Sequence, residues 1–407
     1  MTGRYVRVFF TVLALLALAS PSFAARRSSL SGNLLIQDQD DIFFFPHLVS
    51  AHKRMVTFDF GSNSGIGSGG MVFGNEQITL GAFTHRSDFL GALSDAFFTR
   101  GDIDHLGTGI GSFPDPGASS IGIGVGPDAL NWIDAIVGFQ SGEMPWGVRV
   151  SIGRGNDDPT DPNPTTTVSH SVTAFNVIVS THLNQWNTDA SVEFAYATAE
   201  ENDVTGKTES SPLHVAVGAR RTAGEESDAL TLGWLGTFGY TSGSVDVTPG
   251  TGTASSTDRS SIDFVAGLGP VYKPNDRTNV AMYGTFEYST RKDESSALTE
   301  THTNMVIPGW NIACEVELAS WLQWRGGMQS KFRFFNDKSE PTPVTSTNPG
   351  GEDKNNLLDF GWTTGLGMKV GQLQIDGMLN PTVLTSGTDL LGADSSLFGL
   401  VSGTFHF

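Results

Sequence analysis

Between Ile307 and Asn336 the chain reads in twos. Ile312, Cys314, Val316 and Leu318 share one parity, and Ala313, Glu315, Glu317 and Ala319 the other. After a tight corner at Trp321, the residues Trp324, Met328, Phe332 and Phe334 alternate with Arg325, Lys331, Arg333 and Phe335. Alternation at period two marks a strand whose two faces meet different surroundings. Each arm is about ten residues long, the length of a tilted strand that crosses a bilayer. Strands of soluble sandwiches are usually nearer five or six residues.

The pattern recurs along most of the chain. It predicts an all-β fold: a transmembrane antiparallel up-and-down β-barrel of about sixteen strands, with fourteen as the alternative count. The connections support this independently. Short ones at 74–77, 141–146, 184–189, 223–228, 273–278, 319–321 and 371–372 alternate with long ones at 85–130, 155–168, 201–212, 241–260, 291–304, 336–356 and 385–395. Bacterial outer-membrane barrels have short periplasmic turns and longer extracellular loops, whereas a sandwich has no reason to place every long loop at one end. Trp146, Trp186, Tyr272 and Trp321 flank the short turns, as an interfacial girdle would.

Three parts follow from the order of these features. Residues 1–24 read as a signal peptide: Arg4 and Arg7 precede an apolar run, and Ser22 and Ala24 have the spacing of a cleavage site. Residues 25–52 do not alternate and read as a periplasmic or plug segment, in which Asp38, Asp40 and Asp41 are expected to be solvated and the run Ile42–Phe45 to pack. Residues 53–407 are the barrel. The final stretch, SLFGLVSGTFHF, places Val401, Gly403, Phe405 and Phe407 on one face. It resembles the closing strand of bacterial outer-membrane barrels, porins among them. That resemblance implies that Phe405 and Phe407 form the signal read by the barrel-assembly machinery. A fainter similarity is to the long-chain fatty-acid transporter family, whose N-terminal segment plugs the lumen through an Asn-Pro-Ala motif. Here Phe45, Pro46 and His47 depart from that motif, so no residue role carries over.

Charged residues on the face opposite the apolar ones are expected to line the lumen: Asp134, Arg149, Glu193, Asp263, Glu287, Glu315, Glu317, Arg325, Lys331, Arg333, Asp359, Lys369 and Asp376. An Arg or Lys turned to lipid at the midplane would cost about 2–4 kcal/mol. Acids outnumber bases in this set, which argues for cation preference. A net charge of −19 argues against a nucleic-acid partner, and one cysteine excludes an intrachain disulfide framework. No metal or cofactor motif survives inspection. Gly206, Lys207 and Thr208 lack the earlier glycine of a phosphate loop, and no G-x-S-x-G or H-E-x-x-H occurs. The chain is therefore not expected to be an enzyme.

The expected partners are outer-membrane lipid, the assembly machinery and small solutes, with a homo-oligomer left open. The expected function is a porin-like channel for passive diffusion of small hydrophilic solutes. Its alternatives are a plugged barrel serving as a binding or structural surface protein, and a transporter of hydrophobic molecules suggested by Ile42–Phe45. The connection 85–130 is expected either to fold inward and narrow the pore or to form an extracellular cap that leaves the lumen alone.

Overall fold

The computed structural model describes residues 25–61, 68–84, 130–157, 169–203, 206–222, 229–341, 350–379 and 398–407. The strands are β1 Met55–Gly61, β2 Ser68–Gly74, β3 Ile78–Thr84, β4 Leu130–Ser141, β5 Met144–Asp157, β6 Ser169–Leu183, β7 Thr188–Asp203, β8 Gly206–Ser210, β9 Leu213–Arg221, β10 Leu230–Pro249, β11 Ser255–Asn275, β12 Thr278–Ser295, β13 Leu298–Ala319, β14 Leu322–Pro341, β15 Gly351–Val370, β16 Leu373–Leu379 and β17 Phe398–His406.

Apart from β8 and β9, each strand pairs antiparallel with its neighbours in sequence, and β1 pairs with β17 from Met55↔His406 to Gly61↔Leu400, which closes the ring. Both β8 and β9 lie between β7 and β10, one beyond the other, with a break at Ser211 and Pro212. Proline has no N–H for the ladder, so the break falls where pairing fails. Seventeen strands thus make sixteen staves, and the fold is a closed transmembrane β-barrel. Closure leaves no unpaired edge, the condition for a sheet to sit in lipid.

The outer face carries the apolar parity. Ile133, Phe194, Leu268, Leu358, Phe360 and Val370 are exposed to what surrounds the barrel. Leu318 is exposed and Ile312, Cys314 and Val316 are half-buried on that same face. At the short-turn end Trp186, Tyr272 and Trp321 are exposed, and Trp146 is half-buried. Phe405 and the exposed Phe407 stack beside the seam, while Ser402 and Thr404 face inward.

The short connections among the described residues lie as expected, but four long ones do not. β13 has 22 residues and β11 has 21, about twice what crosses a bilayer. The described residues of 201–212, 241–260, 291–304 and 336–356 are largely strand, and only five residues separate β10 from β11 (250–254) and two separate β12 from β13 (296–297). Beyond the membrane both faces of these hairpins are polar, as in Ser255, Ser256, Thr257, Asp258 and Arg259. The hydrogen-bond ladder continues there while the apolar alternation that would reveal it stops. The expected signal peptide, residues 1–24, and the connections 85–130, 155–168, 223–228 and 385–395 fall wholly or largely outside the described residues. No helix among the described residues is long and apolar enough to cross a membrane.

The buried core lies inside the ring. Residues 25–51 form a short helix, α1 (Ala25–Ser29), and two 3-10 turns, Gln39–Phe43 and Pro46–Ala51. Asp38 caps the first turn reciprocally with Asp41: its carboxylate accepts from the Asp40 N–H at 3.3 Å, and the Asp41 carboxylate accepts from the Asp38 N–H at 2.9 Å. Pro46 opens the second turn, where its missing N–H costs nothing. Leu30, Leu34, Leu35, Ile36 and Phe45 pack with wall residues Ile178, Ala216, Leu235, Val265, Ala281 and Ala313. Ile42, Phe43 and Val49 pack with Val72, Phe83 and Ile136. Burying one such side chain fully contributes about 1.5–3 kcal/mol.

Candidate functional site

The site is the contact between residues 25–51 and the inward face of the barrel. Going round the ring, the Ala25 N–H donates to Ser402 Oγ (3.2 Å), Thr363 Oγ1 donates to the Ser29 carbonyl (2.9 Å), and Asn311 Nδ2 donates to the Ser31 carbonyl (2.9 Å). Arg220 then donates to the Leu34 carbonyl (3.2 Å), Ser180 Oγ accepts from the His47 N–H (2.9 Å), and Arg149 donates to the Phe43 carbonyl (3.0 Å). Partners on strands from β5 to β17 can be reached together only from within the lumen.

Glycine lets the backbones approach. A Cβ built on Gly147 would overlap the backbone of Pro46 and His47, and one on Gly327 would overlap Leu30 and Ser31. One on Gly365 would overlap the Ser29 side chain. These inward glycines lie in the half of the wall nearest the short turns, so the segment is seated at that end of the lumen.

Charge holds it there. Arg220 is 0% exposed; it donates to Asp41 at 2.6 Å and to Asp189 at 3.3 Å, and its guanidinium lies 4.5 Å from the centre of the Phe45 ring. Arg27 is hydrogen-bonded to the other oxygen of Asp41 and sits 5.4 Å over Phe44. Arg149 pairs with Asp134 at 2.9 Å and sits 5.4 Å over Phe43. Each phenylalanine of the run 43–45 therefore lies under one guanidinium, an arrangement favoured by the ring quadrupole. Burial works to raise the Asp41 carboxyl, but Arg220 and Arg27 together hold it below the usual carboxylate range.

Lower on the opposite wall, Glu315 accepts from Arg325 at 2.7 Å and from Arg26 of the segment at 2.9 Å, and Arg325 also pairs with Asp376. Here a wall acid is shared between a wall base and the segment.

Nine of the thirteen lumen residues predicted from sequence divide into two groups. Asp134, Arg149, Glu315, Arg325 and Asp376 are brought together at or beside the segment. Towards the other rim, Lys331 pairs with Glu287 at 2.8 Å and Arg333 with Asp359 at 3.2 Å, all within the wall. Glu193 accepts from Asn176 at 2.5 Å and Asp263 is fully buried, both on the inward face. Glu317 is half-buried and Lys369 exposed near the short turns.

The expected solvation of Asp38, Asp40 and Asp41 is corrected: all three are buried, because the wall and the segment supply partners. The predicted cation preference is likewise weakened, since many of the wall acids are paired. Arg220, His47 and Asp189 are absent from the predicted set. Arg220 was within reach of parity, sharing its face with His214 while Leu213, Val215 and Val217 point out.

No family model matches the chain, and no curated protein is similar to it. Among solved structures it is similar to the ferric yersiniabactin uptake receptor FyuA from Yersinia pestis (9% identity over 61% of this chain and 44% of that one, TM-score 0.37). It is also similar to the siderophore receptor PiuA from Acinetobacter baumannii (10%, 61% and 47%, TM-score 0.39) and to the alcaligin outer-membrane receptor FauA from Bordetella pertussis (7%, 87% and 76%, TM-score 0.36). The aligned part spans less than half the length of the first two.

Proposed function

We propose that the chain is an outer-membrane transport barrel closed in its resting state by its own residues 25–51, and opened by displacing them. The observation that carries this is the ring of inward hydrogen bonds and buried ion pairs from β5 to β17 onto that segment. A passive diffusion pore needs a lumen open to water throughout, so the plugged alternative is the better supported of the two. Export through residues 1–24 and the assembly role of Phe405 and Phe407 belong to the same proposal. The polar hairpins of β10 to β15, which extend beyond the bilayer, offer the contact surface for what the barrel admits or binds.

Single-channel recording in planar bilayers tests the reading. The intact protein is expected to show no steady conductance, and a variant lacking residues 26–50 to show one. Steady conductance of the intact protein, unchanged by the deletion, would overturn the proposal and restore the open pore.

A further inference from the structure

Where the second 3-10 turn meets the wall, three side chains of different elements converge. His47 Nε2 lies 3.1 Å, and His182 Nδ1 2.9 Å, from the same oxygen of Asp189. His182 and Asp189 face each other across β6 and β7, and His47 comes from the segment. The three ligand atoms lie within 4.8 Å of one another.

The surroundings orient His47 and Asp189. Ser180 Oγ accepts the His47 N–H at 2.9 Å and lies 2.9 Å from His47 Nδ1. With an ion bound, that oxygen can accept the Nδ1 proton and leave the Nε2 lone pair for the ion. A hydrogen-bonded second ring nitrogen is the usual companion of a metal-bound histidine. The other oxygen of Asp189 is held by Arg220, whose own charge is offset by Asp41. His47 and Asp189 are nearly closed to solvent, with side chains 2% and 5% exposed, while His182 at 29% leaves one side open for entry.

Two imidazole nitrogens and one carboxylate oxygen, with room on one side, form the donor set of a three-ligand zinc site. We infer that His47, His182 and Asp189 bind a divalent ion of the zinc class, which clasps the N-terminal segment to the wall. The inference rests on the seated segment and is independent of what the barrel transports. In the metal-free state the same atoms serve as a hydrogen-bonded trio with both nitrogens donating. Binding requires both to be deprotonated, so the site exchanges protons for the ion.

The test uses the full-length protein, folded in detergent and stripped with chelator. Zn2+ is titrated against a chromophoric competitor, and release of the segment by trypsin is followed with and without the ion. Wild type is expected to bind about one ion per barrel and to release the segment more slowly when loaded. His47→Ala and His182→Asn, each confirmed as folded by heat-modifiable migration, are expected to bind more weakly. The loss should exceed the roughly 10–100-fold that outer-sphere partners are worth, and zinc should no longer protect the segment. His302→Ala, in the separate group of Asp293, Glu300 and His302, is expected to bind as wild type does. Absence of binding by wild type, or equal binding and protection in His47→Ala and His182→Asn, overturns the site. Conductance is not the readout, so a failure here is distinguishable from a failure of the closed-barrel reading.

Discussion

Near the short turns, Arg220 and Arg149 reach from the wall to residues 25–51, whereas nearer the opposite rim Lys331 and Arg333 reach along the wall to Glu287 and Asp359. The residue types are the same and all lie on the inward parity. What differs is whether a second piece of chain is there to be held. In the first half, glycine stands at 147, 327 and 365, three of the places where that piece presses on the wall, and the charges bridge wall and segment. In the second, a Cβ on Gly361 would meet only ordinary contacts with Gln329. Inward charge in a barrel is thus no measure of how it treats a solute until its partners are known.

The largest effect expected from this difference is at Arg220. Removing one partner of a buried ion pair costs about 3–5 kcal/mol. Arg220→Met should lower the denaturation midpoint, expose the segment to trypsin and bring steady conductance. Lys331→Met removes the cationic partner of Glu287 seen at 2.8 Å and should also destabilise the barrel, yet leave the segment protected and the pore closed. If both open the pore alike, the two halves are not different in kind.

Overpacking comes next. Gly147→Ala and Gly327→Ala each force backbone against backbone, at a cost of about 1–3 kcal/mol. Protease release of residues 25–51 should rise in both, and Gly361→Ala should match wild type. An equal response at all three positions would mean that the segment does not press where it is described.

Acid gives a smaller effect. Asp41 has a lower pKa folded than its ordinary 3.8. The unfolded state therefore takes up this proton first, so the contribution is complete above that value and is lost as pH falls through the lower, folded one. Protection of the segment should be equal at about pH 7 and pH 5 and decline only below the ordinary carboxylate value. Decline between those two would show that another group governs seating.

The smallest expected change sharpens the comparison from outside. Cys314 lies on the lipid face of β13, beside the inward Glu315. A lipid-soluble thiol reagent should label it equally in wild type and Arg220→Met, and a membrane-impermeant reagent should label it in neither. A rise with the impermeant reagent would mean that losing the segment disturbs the wall as well as the lumen.

The barrel was legible because lipid on one side and a buried interior on the other impose a strict period of two, and Ile312 to Leu318 obey it. The hairpin ends of β10 to β15 were not, since water on both faces erases that period without ending the strand. The wall side of the site was half legible. Arg149 and Glu315 stood out as charges on the inner parity, but Asp41 and His47 lie in a stretch with no period at all. Their partners Arg220 and Asp189 are 179 and 142 residues away. Such pairings follow from closure of the ring, which no local spacing records. Inward glycines at 147, 327 and 365 were visible as letters, but not as places where another backbone lies.

The Ala25 N–H meets Ser402 across 377 residues of sequence, and Gln39 meets Thr404 across 365, beside the seam where β1 joins β17. Contacts of such separation offer no reward until nearly the whole chain has been ordered, and folding slows as they come to dominate. The last stave to be synthesised is also the one that completes the berth of the first residues. Until it arrives, the Ile42–Phe45 run has no finished place to go, and its apolar surface stays open to capture by a chaperone or by another copy of itself.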